Sequence, residues 1–307
     1  MTGEPYQRVW PESLTVDAPR PWVRQVEDLL VARPRVLKGV RWGMVALYLA
    51  LLLLPLLAPP APEDATAFTH ITTFSHIVFW YLWWPFVVLS MLLFGRAWCG
   101  LLCPEGTLSA AASRHGGNHP VPHWMRWGGI PLVAFIGITV YGQLIGVYEY
   151  PWPQALILGG STALAVAVNL IYTRKGWVWC RYLCPVSLLF GVFSRLGALH
   201  FAVDRSRAEA PNSRTEKEPC PVFIYLPKKS SNRDCLMCFR CAGWKDAIHL
   251  AWRRPGAELA QIPSSQPMGW EVAFLLVSLG LPLGVFHWTV SPLFTRLKFA
   301  LGEKALG

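Results

Sequence analysis

Trp98-Cys99-Gly100-Leu101-Leu102-Cys103-Pro104 decides how this chain is read, because it returns as Trp179-Cys180-Arg181-Tyr182-Leu183-Cys184-Pro185. The correspondence runs outward at one offset: Gly95 with Gly176, Leu108 with Leu189, Ser113 with Ser194, Arg114 with Arg195. A fixed offset over this many identities marks a duplicated structural unit. Both copies directly follow a long apolar run. The fold therefore turns on what surface two Cys-x3-Cys-Pro units share.

Composition puts those units in a membrane. Mean hydropathy is +0.34 and only 15% of residues are charged, too apolar for a soluble globular protein. The net charge of +10 is spread between apolar runs, so it reads as an orientation signal and not as a nucleic-acid footprint. No secretory signal peptide is visible in the polar first 20 residues. Five runs reach the length of about 20 residues that crosses the hydrocarbon as a helix: 40–58, 77–94, 127–147, 154–172 and 269–290. The expected fold is an all-α integral membrane protein of about five transmembrane helices in two parallel repeats, with a small ferredoxin-like segment.

Lys and Arg counts set the expected topology. The connections 59–76 and 148–153 hold no Lys or Arg, but do hold Glu63, Asp64 and Glu149. The N-terminal segment, the loop 95–126 and the segment 195–268 are basic. The N-terminus and every cysteine motif are thus expected in the cytoplasm. Arg296, Lys298 and Lys304 then lie outside, against the rule, which makes the fifth span the weakest. The divisions are an N-terminal segment 1–39, a first repeat 40–114, a second repeat 127–195, a cluster-bearing segment 196–267, and a fifth span with tail 268–307. In the first of these, Trp22, Val23, Val26, Leu29 and Leu30 follow helical spacing, which suits either a helix lying on the membrane surface or a solvated tail with one apolar face. Two like-oriented units are related by an axis along the membrane normal, so both cysteine pairs fall at one depth, near the inner face.

All eight cysteines lie on the expected cytoplasmic side, where thiols stay reduced and metal or redox chemistry is favoured over disulfides. Cys235-Leu-Met-Cys238-Phe-Arg-Cys241 has the spacing that wraps one iron–sulfur cubane and ligates three of its irons. The position four past Cys241 is Lys245, so no second cluster follows, and the upstream Cys220-Pro221 is assigned the fourth ligand. A zinc site is the alternative, although zinc ligands usually fall in two separated pairs. Cys99, Cys103, Cys180 and Cys184 can hold a second Fe–S cluster across the repeat axis, bind a soft ion such as Cu(I), or work as two dithiol couples. Inert thiols packed as small apolar groups are the bland reading. The residue before a proline avoids the α conformation, so the spanning helices are expected to end near Cys103 and Cys184, with Pro104 and Pro185 opening new short helices.

His70, His76 and His287 are expected near the outer face, as axial metal ligands or, more simply, as hydrogen-bonded interfacial groups. Trp80, Tyr81, Trp83 and Trp84, ahead of Pro85, form either a quinone-binding face or ordinary packing around a proline kink. Glu105 reads as first-turn helix stabilisation. Lys228, Lys229, Arg233 and Arg240 offer a basic surface, for an acidic redox partner or simply for solvent and lipid. No phosphate loop or nucleophile triad is evident.

Gly95-Arg96-x-Trp98-Cys99-Gly100-x2-Cys103-Pro104-x-Gly106, the Trp179–Pro185 copy and the ferredoxin-type triplet together resemble the membrane polyferredoxins. That group includes the membrane ferredoxin of periplasmic nitrate reduction, the nitrous-oxide reductase maturation flavoprotein, the copper-reducing cytochrome oxidase assembly protein and a component of ferrous-iron uptake. The resemblance covers roughly residues 40–260. It implies a multi-pass carrier in the bacterial inner membrane that holds [4Fe–4S] clusters. Such a carrier passes electrons between a cytoplasmic or quinol donor and a membrane or periplasmic acceptor: a reductase, an oxidase assembly system or an iron-uptake system. The rival reading is a copper or iron reductase, or an assembly factor, using the repeat thiols. The chain departs from the pattern in supporting one ferredoxin cluster where relatives commonly carry two, in placing the Cys-Pro before the triplet, and in lacking a sizeable extra-cytoplasmic domain.

Overall fold

The computed structural model describes residues 20–62, 65–209, 220–260, 269–289 and 291–306. Glu63 and Asp64, used above for topology, and Arg214 and Lys217 lie outside them. Helix α1 (Pro21–Ala32) leads into α2 (Pro34–Leu57); a proline occupies the first turn of each, where no N–H is needed. α2 stops where Ala58 turns extended ahead of Pro59 and Pro60. α3 (Ile71–Phe94) starts with His70 as its cap, Nδ1 accepting from the Thr72 N–H at 3.3 Å. Its turns from Ile77 to Trp83 widen to π geometry. Pro85 follows directly; it has no N–H and crowds the carbonyl four residues back, which a widened turn accommodates.

α2, α3 and α7 (Pro151–Ile171) are each long and apolar enough to cross a membrane. They contain three of the five expected spans. The other two coincide with the shorter α6 (Ile130–Ile145) and with α10 (Gly269–Thr289), which is followed by α11 (Pro292–Leu306). The protein is a largely helical membrane protein.

The cysteine repeats depart from expectation in one respect. α3 stops at Phe94, well before Cys103. Gly95 takes φ +59° and ψ −151°, a conformation open to glycine, and the chain reverses. A short α4 (Ala97–Leu101) then packs back against α3, its Trp98 ring meeting Trp83 at 5.3 Å and Phe86 at 5.6 Å. Cys103 caps α5 (Pro104–Ala112), which lies against α2 and α7. The second copy repeats the manoeuvre. α7 ends at Ile171, and Asn169 Oδ1 reaches forward to accept the Val178 N–H at 3.0 Å. A tight α8 (Trp179–Leu183) follows, and Pro185 sits in a turn two residues before α9 (Ser187–Leu196). Each Cys-x3-Cys-Pro thus rides on a segment that turns back into the bundle. An apolar run cannot reveal such a reversal, because its composition is the same in either direction.

After α9, strands β1 (Leu199–Val203) and β2 (Ile248–Trp252) pair antiparallel, Phe201 opposite Leu250. α1 covers them: Val23 is fully buried, and Glu27 Oε2 accepts the Leu250 N–H at 2.8 Å. Leu226, Met237 and Ile248 complete this core together with Cys235 and Cys241. The apolar face of α1 therefore packs at least partly on the protein, although Trp22, at 5.2 Å from the Trp252 ring, and Leu29 remain exposed.

Candidate iron–sulfur centres

Cys220, Cys235, Cys238 and Cys241 line one cavity with Phe201, Leu226 and Met237. The triplet loop is tight, with Met237 and Phe239 at φ +50° and +61°, left-handed conformations that let the chain curl between cysteines. All four thiols are free. Burial pushes Cys220 and Cys241 up and Cys238 to about 11, so these groups become thiolate ligands when iron displaces the proton. Four sulfur donors around an apolar cavity fit a [4Fe–4S] cluster.

The other four cysteines also converge. Cys103 lies within charge–charge range of Cys99 and Cys184, and Cys180 of Cys99 and Cys103. α2 serves as a ruler between the two centres. Arg41 is beside Cys238, while Tyr48 is beside Cys103 and Glu105. Seven residues at 1.5 Å each put the repeat cysteines about 10 Å further along α2 than the triplet. Among the described residues, no three His, Cys, Asp or Glu side chains close on a single point as one metal ion requires. Cubane ligands stand wider, because each binds a different iron.

The two centres touch. A Cβ on Gly100 would come within 2.7 Å of the backbone N and Cα of Cys238, so only glycine lets the first repeat press against the triplet loop. At the matching position of the second repeat, Arg181 pairs with Asp234 at 2.7 Å, next to Cys235. Burial alone would raise the Asp234 carboxyl, but Arg181 and Arg233 outweigh it and hold Asp234 well below the carboxylate range. Arg96, 4% exposed, donates to the Arg233 carbonyl at 2.9 Å and lies beside Cys99, Cys184 and Asp234.

Glu105 does stand in the first turn of its helix, as the sequence suggested, and it does more. It accepts from Trp179 Nε1 at 3.2 Å and from Thr162 Oγ1 at 3.3 Å, tying the second repeat to the first beside the thiols. Tyr48 Oη, 2.9 Å from Thr162 Oγ1, continues this polar file into α2. Sequence reasoning missed Arg96, Gly100, Arg181 and Asp234. The signal was there in part: Gly100 and Arg181 are the discordant pair inside an otherwise matching motif.

The remaining candidates stand apart from both centres. His70 is a helix cap; His76 is half-buried, with Nε2 unpartnered among the described residues; His287 lies on α10. Trp83 packs on Phe79 and Trp98, Trp84 on Phe190 and Trp80 on Tyr148. The basic patch is largely engaged internally: Lys229 bonds the Phe201 carbonyl, Arg233 pairs with Asp234, and Arg240 stacks over Trp177.

Fold and site together define a membrane protein equipped for iron–sulfur clusters. The family described as a 4Fe-4S binding domain matches residues 77–122 and 158–203, stretches that contain Cys99, Cys103, Cys180 and Cys184. The chain is similar to the regulatory protein NosR of Pseudomonas aeruginosa, 25% identical over 70% of this chain and 34% of NosR. It is also similar to YccM of Escherichia coli, 26% identical over 63% of this chain and 60% of YccM. The ferredoxin-type protein NapH of Escherichia coli is 27% identical over 50% of this chain and 60% of NapH. The chain thus spans about a third to three fifths of the length of these relatives. No solved structure matches it. The chain belongs to the membrane polyferredoxin type, and its cofactor is a [4Fe–4S] cluster.

Proposed function

We propose that this protein is a two-centre electron relay, carrying electrons between a cytoplasmic or quinol donor and an acceptor in or beyond the membrane. Cys220, Cys235, Cys238 and Cys241 hold one [4Fe–4S] cluster; Cys99, Cys103, Cys180 and Cys184 hold the second, deeper one. The observation that carries the reading is the contact of Gly100 with Cys238, which joins the two centres backbone to backbone. The 4Fe-4S family match over both repeats supports a cluster at the deeper site over copper. The ferredoxin-type relative supports electron transfer. The bound clusters supply one-electron chemistry; the chain positions them, excludes water and places Arg96 and Arg181 as cations beside the thiolates.

The proposed setting is the bacterial inner membrane, with five spans (α2, α3, α6, α7 and α10) in two parallel repeats and the cysteine motifs toward the cytoplasm. The basic connections 95–126 and 195–268 support that orientation. The partner is a redox protein, such as a reductase, an oxidase assembly system or an iron-uptake system.

The test is stepwise dithionite titration of the purified protein followed by EPR. Two reducible [4Fe–4S] signals with magnetic interaction between them are expected. A protein without iron, sulfide or a reducible chromophore would end the proposal.

A further inference from the structure

Three helices begin around a second cavity, away from the cysteines. Gly128 and Pro131 line it from the start of α6, Ser187 and Leu188 from the start of α9, and Trp270 and Glu271 from the start of α10. α6 and α9 are entered through Gly129 and Val186, and neither helix has a side-chain cap. Their first N–H groups and the positive ends of three helix dipoles therefore favour an anion here.

The side chains add to that field. Four arginines line the cavity (Arg96, Arg126, Arg181 and Arg233) against two carboxylates, Asp234 and Glu271. Both carboxylates are already shared. Asp234 holds Arg181 and Arg233, and Glu271 holds Arg195 at 2.8 Å besides facing Arg233. The lining keeps a surplus of two positive charges. Arg96 is the sharpest indicator: its side chain is buried, and its Nε has no hydrogen-bond partner among the described residues. A buried guanidinium left incompletely bonded is costly unless something else completes it. Arg126 is exposed and belongs to no ion pair in the described residues. Around these charges the wall is apolar and aromatic. Trp127, half-exposed, meets Trp270 edge-to-face at 5.1 Å, with Pro131 and Leu188 beside them. Tryptophans of this kind mark the membrane–water boundary.

We infer that this cavity is a binding site for a phosphate-class oxyanion. Its Trp127–Trp270 edge selects the phosphate of an anionic phospholipid headgroup over the free ion. Guanidinium forks match phosphate oxygens, and the aromatic wall accepts the glycerol and upper acyl carbons. Arg181 and Arg233 both hold Asp234, next to Cys235, so an anion drawing on them bears on the clamp between the second repeat and the triplet loop.

The test uses the full-length detergent-solubilised protein, native mass spectrometry, and thermal unfolding with short-chain phosphatidylglycerol, phosphatidylcholine or inorganic phosphate. Retained phosphatidylglycerol and a saturable thermal shift are expected, with neither seen for phosphatidylcholine. Arg126→Gln should weaken phosphatidylglycerol by about tenfold, the loss of one charge-assisted hydrogen bond, at unchanged iron content. Trp127→Ala should bring phosphatidylglycerol down to the level of the free ion. Inorganic phosphate binding as tightly as phosphatidylglycerol, lost in Arg126→Gln, would keep the oxyanion site and overturn the lipid as its source. Equal responses to both lipids, or undiminished binding in Arg126→Gln, would overturn the site itself.

Discussion

The two Cys-x3-Cys-Pro repeats share a frame and differ where they meet the rest of the molecule. Both reverse direction after a long helix and return a cysteine pair into the bundle. The first meets the triplet loop through an absence, since Gly100 has no side chain and lies against Cys238. The second meets the same loop through a charge, with Arg181 reaching Asp234 beside Cys235. Arg96 in the first repeat aligns with Trp177 in the second, and Glu105 with Val186. Duplication thus supplies four equivalent thiols, and divergence at three aligned positions converts a symmetric centre into one that faces a single partner. The difference teaches that the informative positions in a repeat are those that fail to match.

That comparison can be broken one contact at a time. Gly100→Ala should have the largest effect. The new methyl meets backbone that cannot swing aside, at a cost of about 1–3 kcal/mol or more, and the triplet loop must withdraw. Iron content at the triplet should fall and any magnetic interaction between clusters should vanish. Unchanged EPR spectra in this variant would show that the contact is dispensable.

Asp234→Asn comes next. It strips the carboxylate from Arg181 and Arg233, whose side chains are 24% and 23% exposed. The expected loss is about 1–3 kcal/mol in thermal or denaturant unfolding, below the full penalty for a fully buried pair because water still reaches both cations. Arg181→Gly, which makes the second repeat imitate the first, should be destabilising in the same way and should not create a second close contact. Stability equal to the parent would sever the second repeat from the triplet loop.

Trp179→Phe keeps the ring and removes the donor to Glu105, so about 1 kcal/mol should be lost. Its reading is the link between repeats: a shift in the signal of the deeper centre with the triplet signal unmoved. The smallest effect should come from Lys298→Gln. The Lys298–Glu149 pair at 2.8 Å joins α11 to the loop after α6 outside both repeats, and half of the Glu149 side chain is exposed. A change within about 0.5 kcal/mol is expected.

Much of this was legible in the sequence, for identifiable reasons. Spans appear because hydrocarbon demands about 20 apolar residues in a row, and α2, α3 and α7 meet that demand. The triplet is legible because Cys-x2-Cys spacing has few uses. The capping role of Pro104 follows from its missing N–H. What stayed hidden is tertiary. Nothing local says that the chain turns back at Gly95, since Leu-Cys-Pro suits the end of a long helix as well as a short returning one. Glu105 reads as a first-turn acid, which it is; its partners Trp179 and Thr162 lie 74 and 57 residues away. The cavity of three helix starts and four arginines is invisible along the chain, because Arg96, Arg126, Arg181 and Arg233 come from four separate segments.

The central claim is that the chain holds two iron–sulfur centres in contact. It is tested most directly by iron and acid-labile sulfide quantitation with EPR on the parent and on the variant with Cys99, Cys103, Cys180 and Cys184 all changed to Ser. The account predicts that the variant loses half of the iron and sulfide and one of two EPR signals, while the signal of the Cys220–Cys241 centre persists without its magnetic interaction. Iron, sulfide and spectra identical in the two proteins would contradict it.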